Sequence, residues 1–144
     1  MKKKLYNIEI LWHTTEIISE PINNSKDCES IFRKIYKNIE YDEKFYTMYL
    51  NRKNVPVAYD LISIGSVSGT VVDIRKILRG ALMANCSNII VSHNHPSGNI
   101  SPSSEDIKIT EKIVNACKLM DINVLDHVIM AKNDYFSFAD ESLI

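Results

Sequence analysis

The sequence has little of what marks a secreted, membrane-spanning or repetitive protein. Its 144 residues include only four glycines, four prolines and three cysteines, so it holds no low-complexity tract or long flexible linker. The cysteines, Cys28, Cys86 and Cys117, are odd in number and far apart, which predicts reduced thiols in or near the core of a cytoplasmic protein. The basic start MKKK precedes no long apolar run, so neither a signal peptide nor a membrane span is expected.

An excess of charge of either sign is also missing. The formal net charge is −1 and the isoelectric point is near 6.4, which favours neither nucleic acid nor an anionic membrane as a partner. The hydrophobic share of 45% and the charged share of 24% are typical of a globular protein. At this length we expect one domain with one core over residues 1–144.

Hydrophobic periodicity predicts alternating strands and helices. Helices are expected over residues 26–39, 73–85 and 102–120. Their predicted N-caps are Ser25, Asp73 and Ser101. Strands are expected over residues 45–50, 55–64, 88–91, 123–131 and 135–138, and residues 5–18 are expected to form an edge strand or a pair of short ones. This order predicts the α/β class with a mixed β-sheet flanked by helices.

The second and third predicted helices each carry one apolar stripe. The stripe of the second helix consists of Ile74, Ile77, Leu78, Ala81 and Leu82. The stripe of the third helix consists of Ile109, Ile113, Ala116, Cys117 and Met120. We expect both stripes to be buried against the sheet.

The segment SHNHPSGNISPSSED, residues 92–106, carries most of the chemistry. His93 and His95 are two residues apart at the end of a buried strand, where side chains at i and i+2 point to the same side and can converge on one ion. Asp106 precedes Ile109 and Ile113 at helical spacing, which places its carboxylate on the apolar face of the third helix. A buried carboxylate without a partner is costly, so a cation or strong hydrogen-bond donors are expected beside it.

Two histidines and one carboxylate supply three ligands and leave the fourth tetrahedral position for water, as in catalytic zinc sites. Ser103 lies one turn before Asp106, so its hydroxyl can lie beside the metal. The pattern Ser-x-x-Asp is also a helix-capping signal, and His-x-His at a strand end is most often a pair of solvated histidines. The combined spacing favours metal binding over capping alone.

The segment HNHPSGNISPSSED resembles the JAMM motif of JAB/MPN metalloproteases, and more closely that of their RadC-like branch. The similarity continues into VLDHVIM and FSFADESLI and covers roughly residues 40–144, which leaves residues 1–39 as an extension made of a strand and a helix. The resemblance implies the three-layer, cytidine-deaminase-like architecture of JAB/MPN domains. It also implies a zinc ion bound by His93, His95 and Asp106.

Roles for further residues follow from the same resemblance. Ser103 matches the family serine that orients or stabilises the tetrahedral intermediate. The family's general base is a glutamate at the start of an earlier strand, and YDEKFYTMYL resembles that segment with Glu43 at the matching position. Spacing alone does not choose Glu43 over nearby acids, which are Glu40, Asp42 and Asp60.

His127 lies between apolar residues of a predicted strand, in the family-like segment LDHV. A histidine in that setting is more often packed and hydrogen-bonded than a metal ligand. It can still support the site, by bonding a ligand or by bordering the cavity.

The implied activity is zinc-dependent hydrolysis of a peptide or isopeptide bond, with a protein or peptide as substrate. One alternative is a DNA-acting or DNA-repair-associated protein, either a metallo-phosphodiesterase or a binding module, although the balanced charge gives nucleic acid no support. A second alternative is a non-catalytic MPN scaffold. The intact set of His93, His95, Ser103 and Asp106 argues against that alternative.

Overall fold

The structure is a computed structural model that describes residues 4–17, 20–65 and 71–144. Within these residues the elements are α1 (Ser25–Ile35), β1 (Glu43–Leu50), β2 (Pro56–Gly65), α2 (Ile74–Met83), β3 (Asn88–Asn94), α3 (Ser104–Lys118), β4 (Asn123–Met130) and β5 (Tyr135–Ser137). The strands form one sheet in the order β2-β1-β3-β4-β5. Since β3 and β4 run parallel and the other neighbours antiparallel, the predicted α/β class with a mixed sheet is confirmed.

Side chains of alternate strand residues give the sheet two buried faces. On one face α1 packs Phe32 against Met48 of β1 and Ile90 of β3. On the other face α2 and α3 contribute Ile77 and Ile113 to a separate apolar cluster. Burying an isoleucine contributes roughly 1.5–3 kcal/mol, so both helix layers are held to the sheet by their own cluster. The result is a three-layer arrangement, consistent with a JAB/MPN fold.

The β1–β2 hairpin and the pairing of β1 with β3 bring distant segments to one edge of the sheet. Glu43 pairs with Gly65 at the open end of the hairpin. Phe45 lies opposite His93 in the antiparallel pairing of β1 with β3. The start of β1 therefore lies beside the carboxyl end of β3, which runs through His93 to Asn94 and is longer than predicted.

The predicted strand over residues 5–18 is wrong for the part that the structure describes, because residues 5–17 form no strand. Leu5, Tyr6 and Ile8 are 99%, 92% and 88% exposed. Residues 5–17 pair with no strand of the sheet, and without cross-strand partners an alternating pattern does not become a strand. Residue 18 lies outside the described residues.

The first helix was placed correctly but its ends were not. Asn24, not Ser25, is the N-cap, and its side chain accepts a hydrogen bond from the backbone of Asp27. The Ser25 hydroxyl instead donates to Asp140 over 2.6 Å. The helix ends at Ile35, short of the predicted residue 39, because the next residue adopts an extended conformation.

In the other two helices, some predicted boundaries and core positions are wrong. Asp73 caps α2 as predicted, but Leu82 is 55% exposed because the buried stripe of α2 narrows to Ile77 and Ala81. Met120 is 42% exposed because it lies in the turn beyond the end of α3, where helical periodicity no longer applies. None of the helices in the described ranges is both long and apolar enough to span a membrane.

Candidate metal centre

Three side chains of metal-ligand type converge at the carboxyl end of β3. They are His93 in β3, His95 in the following turn and Asp106 in the first turn of α3, and their ligand atoms all lie within 4.8 Å of one another. His93 Nε2 is 2.9 Å from His95 Nε2. The Asp106 carboxylate oxygens are 3.2 Å from His93 Nε2 and 3.5 Å from His95 Nε2. The structure thus brings together the three ligands that the sequence predicts.

The turn after β3 fixes the orientation of His95. The backbone N–H of His95 donates to the carbonyl oxygen of Met130 over 2.9 Å, which ties the turn to β4. On the imidazole ring, Nδ1 lies 2.6 Å from the carbonyl oxygen of Asn99. Gly98 closes the turn with φ of 84°, a left-handed conformation that favours glycine. The Nε2 side of the ring therefore faces His93.

Asp106 belongs both to a helix cap and to the histidine cluster. The N-cap of α3 is Ser103, not the predicted Ser101, and its hydroxyl oxygen accepts from the backbone N–H of Asp106 over 3.1 Å. In return, the Asp106 carboxylate accepts from the backbone N–H of Ser103 over 2.7 Å. The capping and metal-binding interpretations of Ser-x-x-Asp are therefore compatible, because the capping box holds the carboxylate where it meets both histidines.

The electrostatics of the cluster favour a cation. Burial acts to raise the pKa of Asp106, but its contacts with the His93 and His95 rings outweigh it and hold that pKa well below its usual range. Asp106 chiefly, with a smaller contribution from Glu43, raises the pKa of His95. Asp106 is therefore ionised at neutral pH and leaves a negative charge beside two imidazole nitrogens.

His127 lies directly behind His93. Its Nε2 is 2.7 Å from His93 Nδ1, and its Nδ1 is 2.6 Å from the hydroxyl oxygen of Thr110. Complete burial lowers the pKa of His127, which keeps the ring neutral. Thr110 was missed by the sequence reasoning. The signal for it was a polar residue four positions after Asp106, on the same face of the helix.

Glu43 lines the same cavity of about 790 Å³ as the three ligand-type residues. The other acids considered from the sequence lie elsewhere. Glu40 pairs with Lys132 over 3.1 Å at the surface. Asp60 lies within β2 and lines a separate cavity. Among these acids, the structure therefore places Glu43 beside the cluster.

Asn94, between the two histidines in sequence, holds the segment that carries Glu43. Its Oδ1 accepts from the backbone N–H of Lys44 over 2.7 Å. Its Nδ2 donates to the carbonyl oxygens of Ile39 and Asp42 over 2.7 Å and 2.9 Å. Asn94 is fully buried, and its role was not predicted from the sequence. The signal was strand alternation, which turns the residue between two ligands to the opposite face.

The donor set fits a transition metal ion. Imidazole nitrogens and a carboxylate oxygen suit zinc and its neighbours, and the described residues bring no further protein ligand to the cluster. Three protein ligands leave a coordination position for water or substrate. Structural zinc sites use four protein ligands, commonly including cysteine.

Comparisons with known proteins place the chain in a family. A family model described as RadC-like JAB domain matches residues 22–143. A UPF0758 protein of Methanosarcina mazei is 37% identical over 129 residues, which cover 88% of this chain and 56% of the relative. A UPF0758 protein of Coprothermobacter proteolyticus is 42% identical over 105 residues, which cover 73% of this chain and 45% of the relative. The UPF0758 protein YfjY of Escherichia coli is 40% identical over 102 residues, which cover 71% and 64%.

The chain spans about half the length of the curated relatives it matches. The matched region contains β1, β3 and α3, the elements that build the histidine and aspartate cluster. Because the family model covers most of the sequence, this chain belongs to the RadC-like JAB domain family.

Proposed function

We propose that this chain is a zinc-dependent hydrolase of the JAMM type that cleaves a peptide or isopeptide bond. The observation that supports this most is the convergence of His93, His95 and Asp106 in a cavity that Glu43 also lines. Two imidazoles, one carboxylate and an open fourth position match catalytic zinc sites. The three cysteines are free, which supports a reducing, cytoplasmic location.

Zinc, when bound, supplies a Lewis acid that polarises the scissile carbonyl and makes water more acidic. Glu43 accepts the proton of the attacking water and returns it to the leaving amine. The Ser103 oxygen already accepts from the Asp106 backbone, so its own proton remains available for the carbonyl oxygen as negative charge develops there. A donor of this kind contributes on the order of 3 kcal/mol to the transition state.

The charge around the cavity supports a polypeptide over a nucleic acid as substrate. Its acidic lining residues are Glu43, Glu105, Asp106 and Glu111, and its basic ones, apart from the histidines, are Lys108 and Lys112. A phosphodiester backbone carries one negative charge per nucleotide and binds to surfaces on which positive charges dominate. Apart from the ligand Asp106, whose charge a bound zinc ion would offset, three glutamates and two lysines remain, so the lining offers no excess of cations for a DNA backbone.

The test is a cleavage screen with zinc-loaded protein against a peptide library and isopeptide-linked substrates. We expect cleavage that a chelator abolishes and added zinc restores. Cleavage of DNA instead, together with salt-dependent DNA binding, would support the phosphodiesterase alternative. Zinc binding without hydrolysis of either substrate class would overturn the enzymatic proposal in favour of a scaffold.

A further inference from the structure

A buried chain of hydrogen bonds runs from α3 through β4 to His93. The Thr110 hydroxyl donates to the backbone carbonyl oxygen of Asp106 over 2.6 Å. The Thr110 oxygen lies 2.6 Å from His127 Nδ1, and His127 Nε2 lies 2.7 Å from His93 Nδ1. His93, His127 and Thr110 are each at most 2% exposed, so water does not compete for these bonds.

The backbone carbonyl oxygen of Asp106, at one end of this series of hydrogen bonds, sets which atom donates and which accepts in every bond of the series. A carbonyl oxygen can only accept, so Thr110 uses its single proton on Asp106 and offers only lone pairs to His127. His127 must therefore donate from Nδ1. Its ring is buried among neutral partners, where a second proton would be an unpaired charge, so Nε2 carries a lone pair. That lone pair accepts from Nδ1–H of His93, which leaves His93 Nε2 without a proton.

A separate contact gives His95 the same tautomer, with its proton on Nδ1. Its Nδ1 lies 2.6 Å from the Asn99 carbonyl oxygen and so carries the proton, which leaves Nε2 as the acceptor atom. The two Nε2 atoms, 2.9 Å apart, then face each other with lone pairs. Such an arrangement is repulsive unless a proton or a metal cation lies between them.

We propose that Thr110 and His127 are positioning residues, which select the His93 tautomer whose Nε2 lone pair faces the metal. The inference rests on the metal-binding part of the proposed function, but the tautomer is a property of the metal-free protein. Threonine suits the task because its branched side chain has few rotamers and its hydroxyl can bond the carbonyl one helical turn back. Valine and alanine have no hydroxyl group, so neither could set the direction of these hydrogen bonds.

The test replaces Thr110 by valine, which has the same shape but no hydroxyl. Without that acceptor, His127 can move its proton to Nε2 and donate to His93, which forces a proton onto His93 Nε2. Metal-free Thr110→Val should show the Nε2–H tautomer of His93 in nitrogen-15 NMR, at a pH well above the ordinary histidine pKa of about 6.5. Zinc affinity, measured by competition with a chromogenic chelator, should fall by about 10- to 100-fold.

Two controls separate this effect from general damage. Thr110→Ser keeps the hydroxyl and should keep both the tautomer and the affinity. Thr47→Val makes the same change at another buried threonine, whose hydroxyl oxygen has no hydrogen-bond partner among the described residues, so it should match the unsubstituted protein in both measurements.

An Nε2–H tautomer of His93 in the unsubstituted, metal-free protein would overturn the inference, even if Thr110→Val failed to fold. Unchanged tautomer and zinc affinity in a folded Thr110→Val would overturn it as well. Failure of the proposed function looks different, because the unsubstituted protein would then show the expected tautomer and bind no zinc.

Discussion

His93 and Asn94 are neighbours in β3, yet they face opposite sides of the sheet and have opposite kinds of surroundings. On the α1 side, the Asn94 side chain bonds two backbone carbonyl groups of the segment before β1 and one backbone N–H near the start of β1. Ser92, on the same side, pairs with the Tyr36 hydroxyl over 3.1 Å. On the other side, His93 Nε2 meets a second imidazole and a carboxylate.

The difference lies in where each set of polar atoms finds its partners. Donors and acceptors on the Asn94 side match each other, so that side is complete and holds the chain in place. The atoms that converge on the His93 side are two ring nitrogens and the oxygens of Asp106, which all favour a positive charge between them. One face of this strand end thus stabilises the fold, whereas the other face is suited to bind a cation.

Removing both histidines should abolish metal binding on the His93 side and leave the Asn94 side intact. In His93→Ala/His95→Ala, we expect the zinc content to fall from one ion per chain to none, measured by elemental analysis after zinc loading and dialysis. Far-UV circular dichroism should remain, because the two apolar clusters do not include the ligands. Ser92→Ala, on the opposite face, is the matched control and should keep its zinc. Equal zinc content in the double variant and the unsubstituted protein would contradict the assigned site.

Glu43→Gln should separate zinc binding from catalysis on the His93 side. The amide cannot take up a proton, so turnover of a cleavable peptide should drop by about 10²- to 10⁴-fold while zinc content stays the same. Asp42→Asn is the control, because the Asn94 contact uses only the backbone carbonyl of Asp42 and its side chain is exposed. A comparable loss of turnover in both variants would remove Glu43 from its assigned role.

Asn94→Ala should damage the other face and reach the site only indirectly. It leaves one N–H and two carbonyl groups without their partner, which should lower the free energy of unfolding by about 2–4 kcal/mol in urea titrations. Zinc content should persist, whereas turnover should fall because the segment carrying Glu43 loses its anchor. Asn115→Ala, at an exposed position of α3, should change stability by no more than about 0.5 kcal/mol. Loss of zinc at unchanged stability would reverse the assignment of the two faces.

The smallest expected effect concerns the exclusion of water from the two buried faces of the sheet. Burial foremost raises the pKa of Cys28, on the α1 side, to about 12 and that of Cys117, on the α3 side, to about 11. Unfolded thiols ionise near a pKa of about 8.5. Above that pH the unfolded chain releases protons that the folded chain keeps, so stability should fall by up to about 1.4 kcal/mol per pH unit per thiol.

Urea unfolding between pH 8 and 10 measures this slope. Cys28→Ala and Cys117→Ala should each reduce it by a similar amount, because both thiols lie in dry apolar clusters. A reduction in only one variant would show that water reaches one of the two faces.

The residue pattern alone determined the α/β class and pointed to the three residues that converge, His93, His95 and Asp106. Alternation along β3 and the extended geometry at its end are properties of the local backbone, so two histidines at i and i+2 share a direction wherever the strand lies. The helical spacing of Asp106 likewise needs no knowledge of the partners. The structure meets these expectations of geometry because they depended on residues close together in the sequence.

Contacts between distant segments were decided only by the tertiary structure. The pairing of β3 with β4 brings His127 behind His93, and the pairing of β1 with β3 sets Lys44 beside Asn94 and Glu43 beside the cluster. The alternation at residues 5–17 predicted a strand that did not form, because alternation gives the direction of each side chain but supplies no partner strand. Local periodicity gives the direction in which a side chain points, but strand order decides which side chains it meets.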